Sequence, residues 1–147
     1  MQLNRIMTGY VEVIAPERSI QEAGEQMRSL DVGVLPVRNG DRLVGIVTDR
    51  DLAIRALAAG RDPKSTTVEE IMTRQVIYCF EDQDVEEAER VMEKNQIRRL
   101  PVVDHDNRIV GIVSLGDLAI KGDEIRAGVT LERVSEHSRW VFSTPRS

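Results

Sequence analysis

Two stretches of the sequence decide the fold: Val44-Gly45-Ile46-Val47-Thr48-Asp49-Arg50-Asp51-Leu52 and Val110-Gly111-Ile112-Val113-Ser114-Leu115-Gly116-Asp117-Leu118. Each is an apolar run that ends in a hydroxyl residue, with an aspartate three positions later. They are the most closely matched part of a longer internal repeat, in which the segment from Ile6 to Ile54 recurs, with one added residue, from Ile71 to Ile120. The chain is therefore built from two similar halves.

Three further matches fix the alignment of the two halves. They pair Ile6-Met7-Thr8 with Ile71-Met72-Thr73, Ala23 and Met27 with Ala88 and Met92, and Leu35-Pro36-Val37 with Leu100-Pro101-Val102. The extra residue falls in a segment rich in turn-forming residues, where insertions are tolerated. Open repeat arrays usually need at least three units to cover their apolar faces. Two copies therefore indicate a closed pair.

Each half shows the pattern of a β-α-β-β-α unit, which places the chain in the α+β class. Ser19 followed three residues later by Glu22 has the spacing of a helix capping box, and apolar residues then recur at helical steps. Asp84 and Glu87 repeat this spacing in the second half. In the first half we expect a strand at 11–16, a helix at 20–30, strands at 34–37 and 43–47 joined by the Asn39-Gly40-Asp41 turn, and a helix at 49–59.

This repeat predicts the division of the chain into domains. Residues 1–60 form the first repeat and residues 71–122 the second. The polar, turn-rich segment 61–70 is the linker between them, and the repeat pattern stops beyond Lys121-Gly122. We expect residues 123–147 to form a C-terminal helix and tail.

Composition excludes several classes of protein. Apolar residues make up 41% and charged residues 31% of the 147 residues, and no apolar run approaches the length of a membrane span. The net charge of −5 opposes nucleic-acid binding. The N-terminus lacks the apolar region of a secretory signal, so we expect a cytoplasmic protein without a membrane partner. Cys79 is the only cysteine, in an apolar run, and is expected to be a buried structural thiol.

The sequence carries no recognisable catalytic constellation. His105 and His137 have no partner at metal or triad spacing, and both are expected in solvent. The sequence contains no nucleophile elbow, no Walker loop and no dinucleotide-binding fingerprint. We therefore expect neither an enzyme nor a metal site.

The hydroxyl and carboxylate pairs, Thr48 with Asp51 and Ser114 with Asp117, admit two interpretations. In the first, the hydroxyl caps the next helix, and the negative charge of the aspartate interacts favourably with the dipole of that helix. In the second, the carboxylate accepts both hydroxyls of a ribose, and the hydroxyl residue faces sugar and phosphate. Spacing alone leaves both open.

Two copies of this pattern resemble a tandem pair of CBS domains, the cystathionine β-synthase type, also called a Bateman module. The resemblance rests on Met-Thr, an Ala-x-x-x-Met helix, Leu-Pro-Val and the closing Gly-h-h-Thr/Ser-x-x-Asp, over residues 6 to 122. It implies two repeats paired by pseudo-twofold symmetry, and frequently a homodimer in the shape of a disc.

The resemblance also implies an adenosine-containing ligand, AMP, ADP, ATP or NAD, in the cleft between the repeats, with no obligatory cofactor. Asp51 and Asp117 would hold the ribose, with Thr48 and Ser114 nearby. Ile46 and Ile112, with the preceding strands at Ile14 and Cys79, would wall the adenine.

Basic residues differ between the copies. Arg98 and Arg99 match positions where the regulatory gamma subunit of AMP-activated kinase carries phosphate-binding residues, whereas the first copy has Gly33 and Val34 there. We expect Arg99 to serve the Asp51 nucleotide and Arg50 the Asp117 nucleotide, so that the two sites differ in affinity. Ion pairs with surface carboxylates are the alternative role for these arginines.

The function expected from this resemblance is a non-enzymatic regulatory module that senses adenine nucleotides and signals to another protein, its effector. Two alternatives remain. One is a constitutive dimerisation or scaffolding pair without ligand sensing. The other, an enzyme acting on a nucleotide, lacks a base, a nucleophile and a metal set.

Overall fold

The computed structural model describes residues 1–121, which form two compact units. One unit consists of Glu12–Val76, and the other combines Met1–Val11 with residues 77–121. The compact units and the sequence repeats therefore divide the chain at different points. The Ile-Met-Thr segment at the head of each sequence repeat belongs to the compact unit that contains the other repeat's helices and hairpin.

The Glu12–Val76 unit follows the predicted order of elements. Helix α1 begins after Ser19, whose Oγ accepts from the Glu22 N–H at 3.1 Å, and it ends where Asp31 takes a left-handed conformation (φ 54°). Strands β1 and β2 form an antiparallel hairpin around Gly40, whose φ of 65° a glycine adopts without strain. The elements are α1 (Ile20–Leu30), β1 (Val34–Asn39), β2 (Arg42–Thr48), α2 (Asp49–Asp51) and α3 (Val68–Ile71).

The predicted helix at 49–59 is only partly α-helical. After α2 the backbone widens into a π-helix over Leu52–Leu57, with the Ala58 N–H bonded to the Ala53 carbonyl five residues back. The helix thus ends two residues earlier than predicted. Apolar spacing cannot reveal this change, since a π turn shifts the face by only one residue, and π turns of this kind are frequent at functional sites.

The second unit contains a three-stranded sheet of order β3-β4-β5. β3 runs parallel to β4, and β4 and β5 form an antiparallel hairpin. A short 3₁₀ turn, Leu3–Arg5, comes from the N-terminal segment. The other elements are β3 (Cys79–Phe80), α4 (Val85–Asn95), β4 (Arg99–Val103), β5 (Ile109–Ser114) and α5 (Leu115–Lys121).

The first strand of the first half is shorter than the predicted 11–16, and its counterpart in the second half is also short. In one unit only Ile14 pairs with β1, through bonds to the Pro36 carbonyl and the Arg38 N–H. The next ladder bond toward the N-terminus needs an N–H at position 36, and proline has none. Pro101 occupies the same place before the pairing of Cys79 with Val102, and β3 has two residues. The Leu-Pro-Val motif therefore limits both strands.

The predicted position of Asp84 at the start of a helix is confirmed, but the capping bond predicted for its side chain is wrong. Asp84 stands at the N-cap position of α4, but its side chain makes no capping bond. Its Oδ1 instead accepts from the N-terminal ammonium group of Met1 at 2.8 Å. An ammonium group attracts the carboxylate more strongly than a neutral backbone N–H does.

Each unit has its own apolar core. Both cores gather the buried face of the long helix, the Leu-Pro-Val strand and the strand that follows it. Within residues 1–121 no helix is long and apolar enough to cross a bilayer. The core residues are Ile14, Ile20, Ala23, Met27, Leu35, Val37, Val47, Ala56, Val68, Ile71 and Met72 in one unit, and Leu3, Ile6, Cys79, Val85, Ala88, Met92, Leu100, Val102, Val113, Leu115 and Leu118 in the other.

The Met-Thr segments pair with the strands that end at Thr48 and Ser114. Thr73 and Ile46 exchange two backbone hydrogen bonds of 2.8 and 2.9 Å, and Thr8 and Ile112 exchange two of 2.9 and 3.0 Å. The strand residue before each pair is glycine. A Cβ on Gly45 would lie 2.8 Å from the Met72 Sδ and 2.9 Å from the Thr73 carbonyl oxygen. These close approaches require glycine at this position.

Substitution Gly45→Ala should lower the free energy of unfolding by about 1–3 kcal/mol, because the new methyl group overlaps a backbone oxygen that is held by hydrogen bonds. The matched control is Gly24→Ala in the interior of α1, where the nearest atom is 4.0 Å away. It should raise the stability by about 0.5–1 kcal/mol. Urea unfolding measures both, and equal stabilities of the two variants would contradict the close-approach explanation.

Candidate functional site

Both hydroxyl and carboxylate pairs form reciprocal capping boxes at the corner between strand and helix. The Asp51 N–H donates to the Thr48 Oγ1 at 3.0 Å, while the Thr48 N–H donates to the Asp51 Oδ2 at 3.0 Å. Ser114 and Asp117 repeat this exchange at 3.1 and 2.9 Å. The capping bonds of the first interpretation are present at Thr48 and Ser114, and each aspartate also accepts the N–H of its N-cap residue, while the ribose-binding interpretation stays a prediction.

The Asp51 carboxylate has further partners within its unit. The Thr73 hydroxyl lies 3.2 Å from Oδ1 and 3.3 Å from Oδ2, and the Arg55 Nε lies 3.8 Å from Oδ1. Arg55 also donates from Nη1 to the carbonyls of Ile71 and Met72 at 3.3 and 3.1 Å. Asp51 is only 7% exposed. A buried carboxylate is stable because these donors compensate for its lost hydration.

The Asp117 carboxylate is placed differently. It is half-buried, and its Oδ2 accepts the Ser114 N–H. Thr8 corresponds to Thr73 in the repeat, but Thr8 is exposed and no hydrogen bond joins it to Asp117 in the described part of the chain. Within the described residues the two corners therefore share the capping box and the backbone pair but differ in the burial of the carboxylate and in its side-chain partners.

Sequence reasoning missed Thr73 and Arg55 as neighbours of Asp51. Thr73 is 22 positions away, and its part in the Ile-Met-Thr repeat pointed only to a structural motif. Arg55 stands four residues after Asp51, a spacing at which helical side chains meet. That spacing was the one available signal.

The candidate phosphate-binding residues are neighbours of the corners, Arg50 along the chain and Arg98 and Arg99 across the β4-β5 hairpin. Arg50 is exposed in α2, next to Asp51, and Arg98 and Arg99 are half-buried at the start of β4. In the hairpin register Arg99 stands opposite Ser114, and the Arg98 carbonyl accepts the Leu115 N–H at 2.8 Å. Arg98 and Arg99 thus belong to the unit that contains Asp117, and their phosphate role remains a prediction.

The four residues expected to wall an adenine separate into two groups. Ile46 and Ile112 are half-buried, each in the backbone pair with a Met-Thr segment. The Ile14 and Cys79 side chains are buried within the two cores. From Ile14 and Cys79, only backbone groups remain to contact a ligand in this arrangement.

His105 has a partner that its sequence position did not reveal. Its Nε2 lies 2.8 Å from the Asp82 Oδ2, and its ring stacks on Phe80 with centroids 4.7 Å apart. The Asp82 carboxylate raises the pKa of His105 and is itself held at a lowered pKa by the imidazole. Within residues 1–121 no group of three or more His, Cys, Asp or Glu side chains is arranged to hold a metal ion.

Comparison with known proteins shows where this architecture occurs. The CBS domain family model matches the chain twice, over residues 3–57 and 68–121. The CBS domain-containing protein YhcV of Bacillus subtilis is 41% identical over 133 residues, which cover 90% of this chain and 94% of that protein.

The solved structures that resemble this chain include two with bound metal or ligand. One is Hypoxic Response Protein I with two coordinated zinc ions, at a TM-score of 0.74 and 36% identity over 82% of this chain and 98% of that one. In sequence, Hypoxic response protein 1 of Mycobacterium tuberculosis is 38% identical to this chain. The other is the CBS domain pair of protein MJ0100 in complex with 5'-methylthioadenosine and S-adenosyl-L-methionine, at 0.67 and 35% identity over 82% and 94%.

The Cys79 thiol should be unreactive in the folded protein. Its side chain is 1% exposed, and burial, helped by the charge of Glu87, raises its pKa to about 11. The thiolate, which is the reactive form, is therefore about a hundredfold scarcer near pH 8 than in an unfolded chain. Iodoacetamide labelling followed by mass spectrometry should be slow in buffer and fast in denaturing urea. Similar rates in the two conditions would show that the thiol is accessible.

Proposed function

Since this chain belongs to the CBS-domain family and is a regulatory CBS pair rather than an enzyme, we propose that it binds an adenosine-containing ligand at Asp51 and Asp117. AMP, ADP, ATP, NAD and S-adenosylmethionine all carry the required ribose. Ligand binding would shift the equilibrium between conformations of the module, and an effector protein would read that shift. A ligand does this only through different affinities for the two conformations.

The observation that carries this proposal is the carboxylate at each corner. In Asp117, Oδ2 accepts the Ser114 N–H, and Oδ1 accepts no hydrogen bond from the described residues. A carboxylate offers about four acceptor positions, so capacity remains for a donor from outside. The two neighbouring hydroxyls of a ribose are such donors. The CBS domain pair of MJ0100, which is 35% identical to this chain, was solved in complex with two adenosine compounds.

A nucleotide phosphate needs positive charge, and Arg50, Arg98 and Arg99 are the residues proposed to supply it. Arg50 is exposed beside Asp51, whereas Arg98 and Arg99 are half-buried at the start of β4. Because Gly116 replaces Arg50 in the second copy, the charge around the two carboxylates differs. The two sites are therefore proposed to differ in their preference among AMP, ATP and uncharged adenosine compounds.

Calorimetric titration of AMP, ATP, NAD and S-adenosylmethionine tests the proposal. Asp51→Asn and Asp117→Asn keep an oxygen that can accept the cap N–H, but they remove the charge that strengthens bonds from ribose hydroxyls. Each should weaken binding at its own site by roughly tenfold or more. The matched control is Asp62→Asn, which changes an exposed turn carboxylate bonded to the Lys64 N–H and should leave binding unchanged.

A scaffolding pair is the second candidate, and one observation favours it. The capping boxes account for Thr48, Asp51, Ser114 and Asp117 without any ligand. If wild-type protein binds none of the four compounds, this function replaces the sensor, and these residues are helix caps alone.

We propose that the protein self-associates in either function. The contact would be made by exposed apolar side chains on the helices that follow Thr48 and Ser114. Leu57 is 79% and Ile120 76% exposed, and Ile54 is also exposed. Burying such side chains at about 25 cal/mol per Å² favours association.

The double substitution Leu57→Glu/Ile120→Glu should therefore convert a dimer to a monomer in sedimentation velocity. Lys64→Glu, a charge change at an exposed linker position, is the control and should stay dimeric. A wild-type monomer at tens of micromolar protein would refute the dimer.

A further inference from the structure

The Asp51 carboxylate accepts a hydrogen bond from a hydroxyl group within the protein, that of Thr73. The Thr73 Oγ1 lies at nearly equal distances, 3.2 and 3.3 Å, from the two carboxylate oxygens. A bridging donor in that position stands where a hydroxyl of a bound sugar would donate. Asp51 is 7% exposed, so its side chain has little surface left to offer a second donor.

Arg55 forms an ion pair with the same carboxylate. Its Nε lies 3.8 Å from Oδ1, while its Nη1 is held by the carbonyls of Ile71 and Met72. The guanidinium is thus tied to the residues immediately before Thr73. Thr73 itself is fixed by its backbone pair with Ile46. Arg55, on the helix after Asp51, is therefore linked by hydrogen bonds to the segment that carries Thr73.

The second copy lacks this arrangement although its sequence is similar. Thr8 takes the place of Thr73 and makes the same backbone pair, but it is exposed and forms no hydrogen bond with Asp117 in the described residues. The helix after Asp117 stays α-helical to Lys121, whereas the one after Asp51 becomes a π-helix at Leu52. The difference thus involves both the threonine and the helix that follows the carboxylate.

We propose that Thr73 is an internal competitor for the Asp51 site, so that a ligand ribose must displace the Thr73 hydroxyl, while the Asp117 site is available without displacement. The proposal rests on the adenosine-binding function proposed above. It makes Asp117 the site of higher affinity and Asp51 the site at which binding disturbs the chain. Displacing the hydroxyl removes a side-chain anchor of the Met72-Thr73 segment, and the chain leaves the Glu12–Val76 unit three residues later.

Removing the competing hydroxyl should raise the affinity of the Asp51 site. Thr73→Val replaces the hydroxyl by a methyl group of similar size, and it is studied in an Asp117→Asn background so that calorimetry with AMP and with S-adenosylmethionine reports the Asp51 site. Because a hydrogen bond to a charged group no longer has to be broken, we expect a roughly tenfold gain in affinity. Thr73→Ser, which restores the hydroxyl, should return the affinity of the background protein.

The matched control is Thr8→Val in an Asp51→Asn background, where the change at the Asp117 site should stay below about twofold. Circular dichroism establishes that each variant is folded, and Thr73→Ala removes the same hydroxyl if the valine variant does not fold. An unchanged or weaker affinity in Thr73→Val, with binding intact in the background protein, overturns the competitor and leaves the sensor standing. Absence of binding in wild type and in every Thr73 variant overturns the sensor itself.

Discussion

The structure depends on the backbone pair between each Met-Thr segment and the strand beside it. In both units two hydrogen bonds join the threonine to an isoleucine, and the residue before that isoleucine is glycine because the methionine sulfur and the threonine carbonyl approach so closely. The pair places its segment against the strand that ends at the capping box. Removing either the glycine or the segment would leave the corner without its neighbour.

This pairing explains why the repeat is best preserved where it is. Met-Thr and Gly-Ile-Val lie far apart along the chain, yet they are two sides of one contact, so a change in one is restrained by the other. The capping box imposes a similar restraint, because Thr or Ser and Asp each satisfy a backbone N–H of the other. Packing and capping therefore account for much of the repeated sequence before any ligand is considered.

Regular elements could be predicted from the sequence, and most departures trace to single residues. The bounds of α1 follow from Ser19 and the apolar spacing, and the β1-β2 hairpin follows from its turn residues. The short first strands follow from a proline that lacks an N–H, and the capping of α4 differs because Met1 supplies a stronger partner for Asp84. The π-helix and the Thr73–Asp51 bond depend on tertiary contacts, which apolar spacing does not encode.

The two corners show how one sequence motif yields two chemical environments. Thr48-x-x-Asp51 and Ser114-x-x-Asp117 have the same capping geometry, but among residues 1–121 a threonine hydroxyl and an arginine contact Asp51 and not Asp117. Burial turns this difference in partners into a difference in free energy. A buried carboxylate loses stability when it loses a hydrogen-bond donor, whereas a half-buried carboxylate replaces the lost donor with water at little cost. Two copies of a motif therefore need not have equal affinities, because the residues around a motif determine what its carboxylate can still accept.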